Sequence, residues 1–315
     1  MPGRRRFVCR LRAIALLAMV GIVTSSALAA EEQRGSGSQG PKLTLQLVKT
    51  GLFLISGGGA NSLLRLSANG EILVDGKHPE NHAALMSQVR KISRITDMPV
   101  RVVILTNHHE DRAGTTAKFL VAGAQIVAQE NVANNLTANH TSDEKVALPT
   151  ITYGRDYTLQ LGGIEVQLMH FGNACTNGDT VVYFPNLKVV AVGDLFTPGT
   201  PNPDFLGGGS LVGWAPVLAE ILKLDFDVVV PSTGPTITRD DLVAFKTKVE
   251  ILVAHARALV NKGIPKDQLL SRLDTEDFGW QFSFTADDLD HFYAELSSSK
   301  VVSEHPEAKS PPGMN

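Results

Sequence analysis

Val100–Gly114 read VRVVILTNHHEDRAG. Six residues of a continuous apolar run with one interruption, Val100–Leu105, have the length and β-branched content of a buried strand. Polar side chains then fill Thr106–Arg112, and a helical pattern begins at Gly114. A strand that hands over to a helix projects the intervening side chains from the carboxyl edge of a sheet, where α/β folds usually meet their ligands. His109 and Asp111 stand two apart in that loop, so an imidazole nitrogen and a carboxylate share one face. Those are donors for a borderline cation such as zinc.

Outward from this stretch the pattern is consistent. Residues 80–96 place Leu85, Val89, Ile92 and Ile95 at helical spacing, and 114–122 and 130–138 are predicted helices around a short strand, QIVAQ. Before them, residues 43–48 alternate, Gly57–Gly58–Gly59 marks a turn, and LLRL and EILV flank Asn69–Gly70, a hairpin signal. Gly57–Gly59 lacks the strand–loop–helix setting and the spacing of a nucleotide-binding loop. After them, 157–168, 180–184, 188–192 and 227–231 read as strands and 213–223 as a helix. Thr238 with Asp241 caps a long helix whose Leu242, Phe245, Val249 and Leu252 face inward, and helices follow at 265–271 and 285–297. Hairpins, βαβα, hairpins and βα in that order predict an α/β fold: two sheets sandwiched between helical layers.

Only the ends depart from this pattern. Residues 1–12 are Arg-rich, 13–23 (AIALLAMVGIV) apolar, and 24–30 (TSSALAA) small with an A-x-A step, the layout of a secretory signal peptide. Eleven apolar residues fall short of the roughly 20 that cross a bilayer, so the expectation is a secreted or periplasmic protein with no membrane contact after cleavage. Residues 31–41 (EEQRGSGSQGP) read as a linker, 42–297 as the folded domain, and 298–315 as a polar, Pro-rich disordered tail. Five of the 29 basic residues (Arg4, Arg5, Arg6, Arg10, Arg12) lie in the first thirty with no acid among them. That leaves 24 basic against 32 acidic side chains in the remainder, near −8, which argues against a nucleic-acid partner. Cys9 and Cys175 are the only cysteines and give no disulfide framework. Asn135–Leu136–Thr137 and Asn139–His140–Thr141 fit the glycosylation triplet.

Three later loops also follow or separate strands: Phe171–Thr180 (FGNACTNGDT), Val192–Leu195 (VGDL) and Pro231–Pro235 (PSTGP). With T-x-x-H-x-D-x-x-G at 106–114, T-x-G-D-T-V-V-Y-F-P at 176–185 and G-D-L-F at 193–196, the chain resembles the metallo-β-lactamase superfamily over nearly all of its mature length. The resemblance implies a four-layer αβ/βα sandwich. It also implies loops that hold two neighbouring ions through H-x-H-x-D-H, a His in G-x-x-H-T-x-G-D, a bridging Asp and a His in P-G-H-G-P. Carried over by position, these ligands fall on Asn107, His109, Asp111, Arg112, Cys175, Asp194 and Thr233.

His109, Asp111 and Asp194 match, and Cys175 supplies a thiolate that suits zinc. Asn107, Arg112 and Thr233 are degenerate ligand positions. The resemblance therefore implies one Zn(2+) ion or none, with His109, Cys175 and Asp194 at the first position and the Arg112 guanidinium in place of the second ion's charge. The N-x-H-x-D-R order of Asn107, His109, Asp111 and Arg112 also resembles the single-zinc carbapenem-hydrolysing lactamases, which differ at the Asp194 and Thr233 positions. The implied reaction is hydrolysis of an ester, lactone, thioester or lactam in a small-molecule substrate, with Asp111 taking the proton. A metal-free relative that kept the cleft as a binding protein is the second expectation. His108 is expected to face away from the site, and the Gly- and Pro-rich 199–213 loop to form a cleft wall.

Overall fold

A computed structural model describes residues 42–97, 99–139 and 146–298. The leader, the linker, the second glycosylation triplet from His140 on, and the tail beyond Ser298 lie outside the described residues.

Seven strands form the first sheet in chain order: β1 (Thr44–Lys49), β2 (Leu52–Ser56), β3 (Ser62–Arg65), β4 (Glu71–Val74), β5 (Val100–Ile104), β6 (Gln125–Gln129) and β7 (Ile151–Tyr153). The pairs from β1 to β4 are antiparallel hairpins, and those from β4 to β7 are parallel. Parallel neighbours need crossovers, which α1 (His82–Ile92), the short α2 (Glu110–Ala113) with α3 (Thr116–Val121), and α4 (Glu130–Asn139) supply. Sequence periodicity does not mark β7, whose three residues are too few to show alternation. It is held by backbone pairing to β6.

The second sheet runs β12-β11-β10-β9-β8, from β8 (Asp156–Leu161), β9 (Ile164–Met169), β10 (Val181–Phe184), β11 (Val189–Gly193) and β12 (Val228–Pro231). The predicted 157–168 strand is a hairpin. Gly162 and Gly163 both take positive φ, 53° and 80°, the left-handed pair that a two-residue turn between Leu161 and Ile164 demands. The helix α5 (Leu211–Ile221) returns the chain so that β12 lies parallel to β11.

Three apolar clusters set the layers. Leu54, Leu63, Ile72 and Val102 of the first sheet meet Leu159, Val166, Val182 and Val230 of the second in the central core. The outer face of the first sheet packs on α1, α3 and α4 through Leu73, Val103, Leu85, Phe119 and Val132. On the far side of the second sheet, Val190 and Val229 pack on α5 and on α6 (Arg239–Asn261), α7 (Lys266–Arg272) and α8 (Ala286–Ser297). The architecture is the expected four-layer αβ/βα sandwich. Each fully buried aliphatic contributes about 1.5–3 kcal/mol, so the three cores dominate the fold's stability. Thr238 and Asp241 cap α6 reciprocally, as expected, and Thr285 with Asp288 does the same for α8. No helix among the described residues is long and apolar enough to cross a membrane.

Candidate active site

The loops after β5, β11 and β12 open at one edge of the sandwich, and Asp194, the first residue past β11, is their meeting point. Its Oδ2 accepts from Asn107 Nδ2 at 2.8 Å and faces His109 Nδ1 at 3.4 Å. Its Oδ1 accepts from Ser232 Oγ at 2.5 Å and from the Nη2 of Arg112, whose Nη1 pairs with Asp111. Burial alone would push this carboxyl up, but the Arg112 guanidinium, then His109 and Ser232, hold it well below the ordinary carboxylate range. Arg112 is only 4% exposed, and its charge is kept against burial by Asp194 and Asp111. A fixed cation thus lies between the two carboxylates that the family would use for its second ion.

His109 caps α2 through its backbone, in extended conformation. Its ring bridges two carboxylates, Nδ1 to Asp194 and Nε2 to Asp204 Oδ2 at 3.1 Å. Burial opposes its charge, yet the bonds to Asp194 and Asp204 prevail and push it up to about 9. His108, expected to face away, donates its Nε2–H to the same Asp204 oxygen at 3.2 Å. The Asp204 carboxylate, which burial would raise, is held well below its ordinary range by His108 and then His109.

Two trios of donors converge here, one atom from each residue lying within 4.8 Å of the others: His109, Cys175 and Asp194, and His108, His109 and Asp204. Hydrogen bonding separates them. His108 is engaged on both sides, its Nδ1 3.3 Å from Asn135 Nδ2 and its Nε2 3.2 Å from Asp204 Oδ2. Cys175, in contrast, is buried between β9 and β10, and its Sγ makes only a long contact to the Asn202 carbonyl, 3.8 Å. Burial pushes its thiol well up, and Asp194 adds to the rise. Imidazole, thiol and carboxylate are zinc donors, and as a set they suit one ion.

Two buried carboxyls brace the loops from behind. Asp75 accepts from the Thr106 backbone N–H at 2.8 Å and hydroxyl at 2.7 Å, and Asp179 binds Thr176 in the same way, at 2.8 Å for both. Burial pushes Asp75 up to about 6 and Asp179 to about 7. Lys77, fully buried, donates to the carbonyls of Ile55 and Ala60 on either side of the Gly57–Gly59 turn. Burial brings it down to about 8.

The structure therefore gathers Asn107, His109, Asp111, Arg112, Cys175 and Asp194 into one cluster. Thr233 is exposed, and it is the preceding Ser232 that reaches Asp194. The Asn135 triplet is not a free surface site: its amide also bonds Asn177 Oδ1 at 2.9 Å and the Gly207 carbonyl at 3.2 Å. Asp204 is the residue that sequence reading missed. The 199–213 loop does wall the cluster, but its PNPDFLGGGS composition singles out no position.

Comparison with known proteins agrees with this fold. The description "Metallo-beta-lactamase superfamily" matches residues 56–233. A relative named 2,4-dinitroanisole O-demethylase subunit alpha, from Nocardioides sp. (strain JS1661), is 28% identical over 258 residues, 79% of this chain and 73% of that protein. A metallo-beta-lactamase from Pontibacter korlensis superposes with a TM-score of 0.57 at 21% identity, covering 66% of this chain and 99% of the other. The FIM-1 metallo-beta-lactamase from Pseudomonas aeruginosa, in its mono-zinc form, gives 0.56 at 17%, covering 66% and 95%. Given the family match over more than half of its length, the four-layer sandwich and the loops that converge on Asp194, this chain belongs to the metallo-beta-lactamase superfamily.

Proposed function

We propose that the chain is a hydrolase working with at most one metal ion, held by His109, Cys175 and Asp194, on a small molecule with an ester, lactone, thioester or lactam bond. The observation that carries this is the Arg112 guanidinium between Asp111 and Asp194, which supplies the charge of a second ion without its Lewis acidity. A zinc ion, when bound, lowers the pKa of its water and polarises the substrate oxygen. The protein's own groups do the rest. Asp111 has Oδ1 committed to Arg112, and its Oδ2 is the oxygen left to take a proton from the attacking water. Asn107 and Ser232 hold Asp194 in place on either side. The O-demethylase relative adds an activated aryl methyl ether to the bonds worth testing, since that reaction also breaks a C–O bond.

A second reading, a metal-free binding protein, is favoured by the completeness of the network. Both oxygens of Asp194 and both nitrogens of His109 already have protein partners. Metal analysis of the purified protein, before and after Cys175→Ser, separates the two. Substantial metal that falls on substitution supports the hydrolase. Less than about a tenth of an equivalent in both forms sinks the one-ion site and leaves the binding protein. A screen of esters, lactams, thioesters and aryl ethers then names the substrate. Export is proposed from residues 1–30 alone, and N-terminal sequencing of the mature protein, expected to begin after Ala29 or Ala30, tests it.

A further inference from the structure

Asp204 stands on the loop between β11 and α5, outside every metal-binding loop that the family's motifs describe. Its carboxylate and its backbone are both used. Oδ2 accepts from the Nε2 atoms of His108 and His109, and Oδ1 accepts from the Gly207 N–H at 2.8 Å. The backbone N–H of Asp204 donates to the Cys175 carbonyl at 2.8 Å, and its carbonyl accepts from Gly209 at 2.7 Å. A Cβ on Gly207 would lie 2.5 Å from the Asp204 carboxylate and 2.6 Å from His108 Cε1, so the close approach requires glycine there. Asn135 pins the same loop by holding the Gly207 carbonyl and His108 Nδ1.

We propose that Asp204 is the positioning residue for His109: it holds the ring through Nε2 and so turns Nδ1, the nitrogen facing Asp194, toward the place where a metal ion would lie. The reason is elementary. A carboxylate only accepts hydrogen bonds, so the ring nitrogen against Asp204 carries hydrogen and stays engaged there, and Nδ1 is the nitrogen left for a metal ion that displaces the proton shared with Asp194. Through its backbone the same residue anchors Cys175, so two of the three donors are set from one position in a loop. The metal part of this inference rests on the one-ion reading above. The hydrogen bond to His109 does not.

The test uses the full chain with 15N-labelled histidine and cobalt as the probe metal. In the metal-free wild type, a low-field proton on Nε2 of His109, identified by its loss in His109→Gln, is expected to vanish in Asp204→Ala. Cobalt, read by its thiolate absorption band, is expected to bind Asp204→Ala about 10–100-fold more weakly than wild type. Gly207→Ala, which leaves Asp204 chemically intact but drives a methyl against it, is expected to shift both readouts the same way. A proton signal that persists in Asp204→Ala, or cobalt affinity equal to wild type, overturns the proposal. If the wild type itself takes up no cobalt, the one-ion reading fails by itself, and loss or persistence of the proton signal still decides the role of Asp204. Should Asp204→Ala not fold, Gly207→Ala is read by the same criteria.

Discussion

On one side of Asp194 lie His109, its ring between two carboxylates, and Cys175, a buried thiol with one long sulfur contact to the Asn202 carbonyl. On the other side lie Arg112 and Asp111, closed into an ion pair whose cation is buried. The same carboxylate serves both. The difference teaches that a fixed cation can hold two carboxylates together where the other side leaves its thiol almost unpartnered. A guanidinium does so because it stays protonated whatever its burial and because its fork reaches two carboxylates at once.

The sharpest way to break this comparison is to remove what the two sides share. Asp194→Ala takes one carboxylate from buried Arg112 and from the half-buried, charged ring of His109. A loss of about 3–5 kcal/mol in denaturant unfolding is expected, and a loss under about 1 kcal/mol would mean that the network carries little. Arg112→His with Thr233→His tests the second side: metal content is expected to rise toward two per chain. No rise would show that exposed Thr233 does not reach the cluster. Cys175→Ser tests the first side, and metal is expected to fall below about a tenth of an equivalent while folding is retained.

A milder test is pH. His109 is raised from an ordinary value near 6.5 to about 9 in the folded protein. In the metal-free form, the stability from its charged ring is therefore fully present below about 6.5 and is lost as pH rises through about 9. A metal ion must displace that proton and the one on the Cys175 thiol, which burial holds high, so affinity is expected to rise about a hundredfold per pH unit below about 9 and more gently, about tenfold per unit, above it. Cobalt titrations at several pH values check both the slope and its break. The smallest effect belongs to the rim: His78 and Glu110, 3.4 Å apart and largely solvated, should change stability by about 0–1 kcal/mol when His78→Ala is measured by thermal melting.

Most of the sandwich and much of the cluster were legible because their causes are local. Apolar runs such as Val100–Leu105 and Val189–Val192 can only be buried strands, and the polar residues that follow them must emerge at a sheet edge. Thr238 and Asp241 announce a helix start by their own hydrogen bonds. The placement of Asp204 was not legible, because its role depends on a loop whose path is set by backbone bonds to Cys175 and Asn177 rather than by any periodic pattern. His108 was misjudged for a related reason. Alternation along an extended chain predicts opposite faces for neighbours, but the chain turns into α2 right after His109, and both rings reach one carboxylate. Ser232 in place of Thr233 is a one-residue difference at a bend, where sequence spacing fixes little.

Asp194 has a mechanical consequence as well. Asn107, His109 and Arg112 follow a strand of the first sheet, whereas Asp194 and Ser232 follow strands of the second, and the Thr180 N–H joins the Thr106 carbonyl at 2.7 Å beside them. The cluster is therefore a seam that stitches the two halves of the sandwich together at their open edge. Opening the seam exposes both halves at once, so hydrogen exchange at the ends of β5 and β11 should proceed at a common rate, and a ligand that tightens the seam should slow both together.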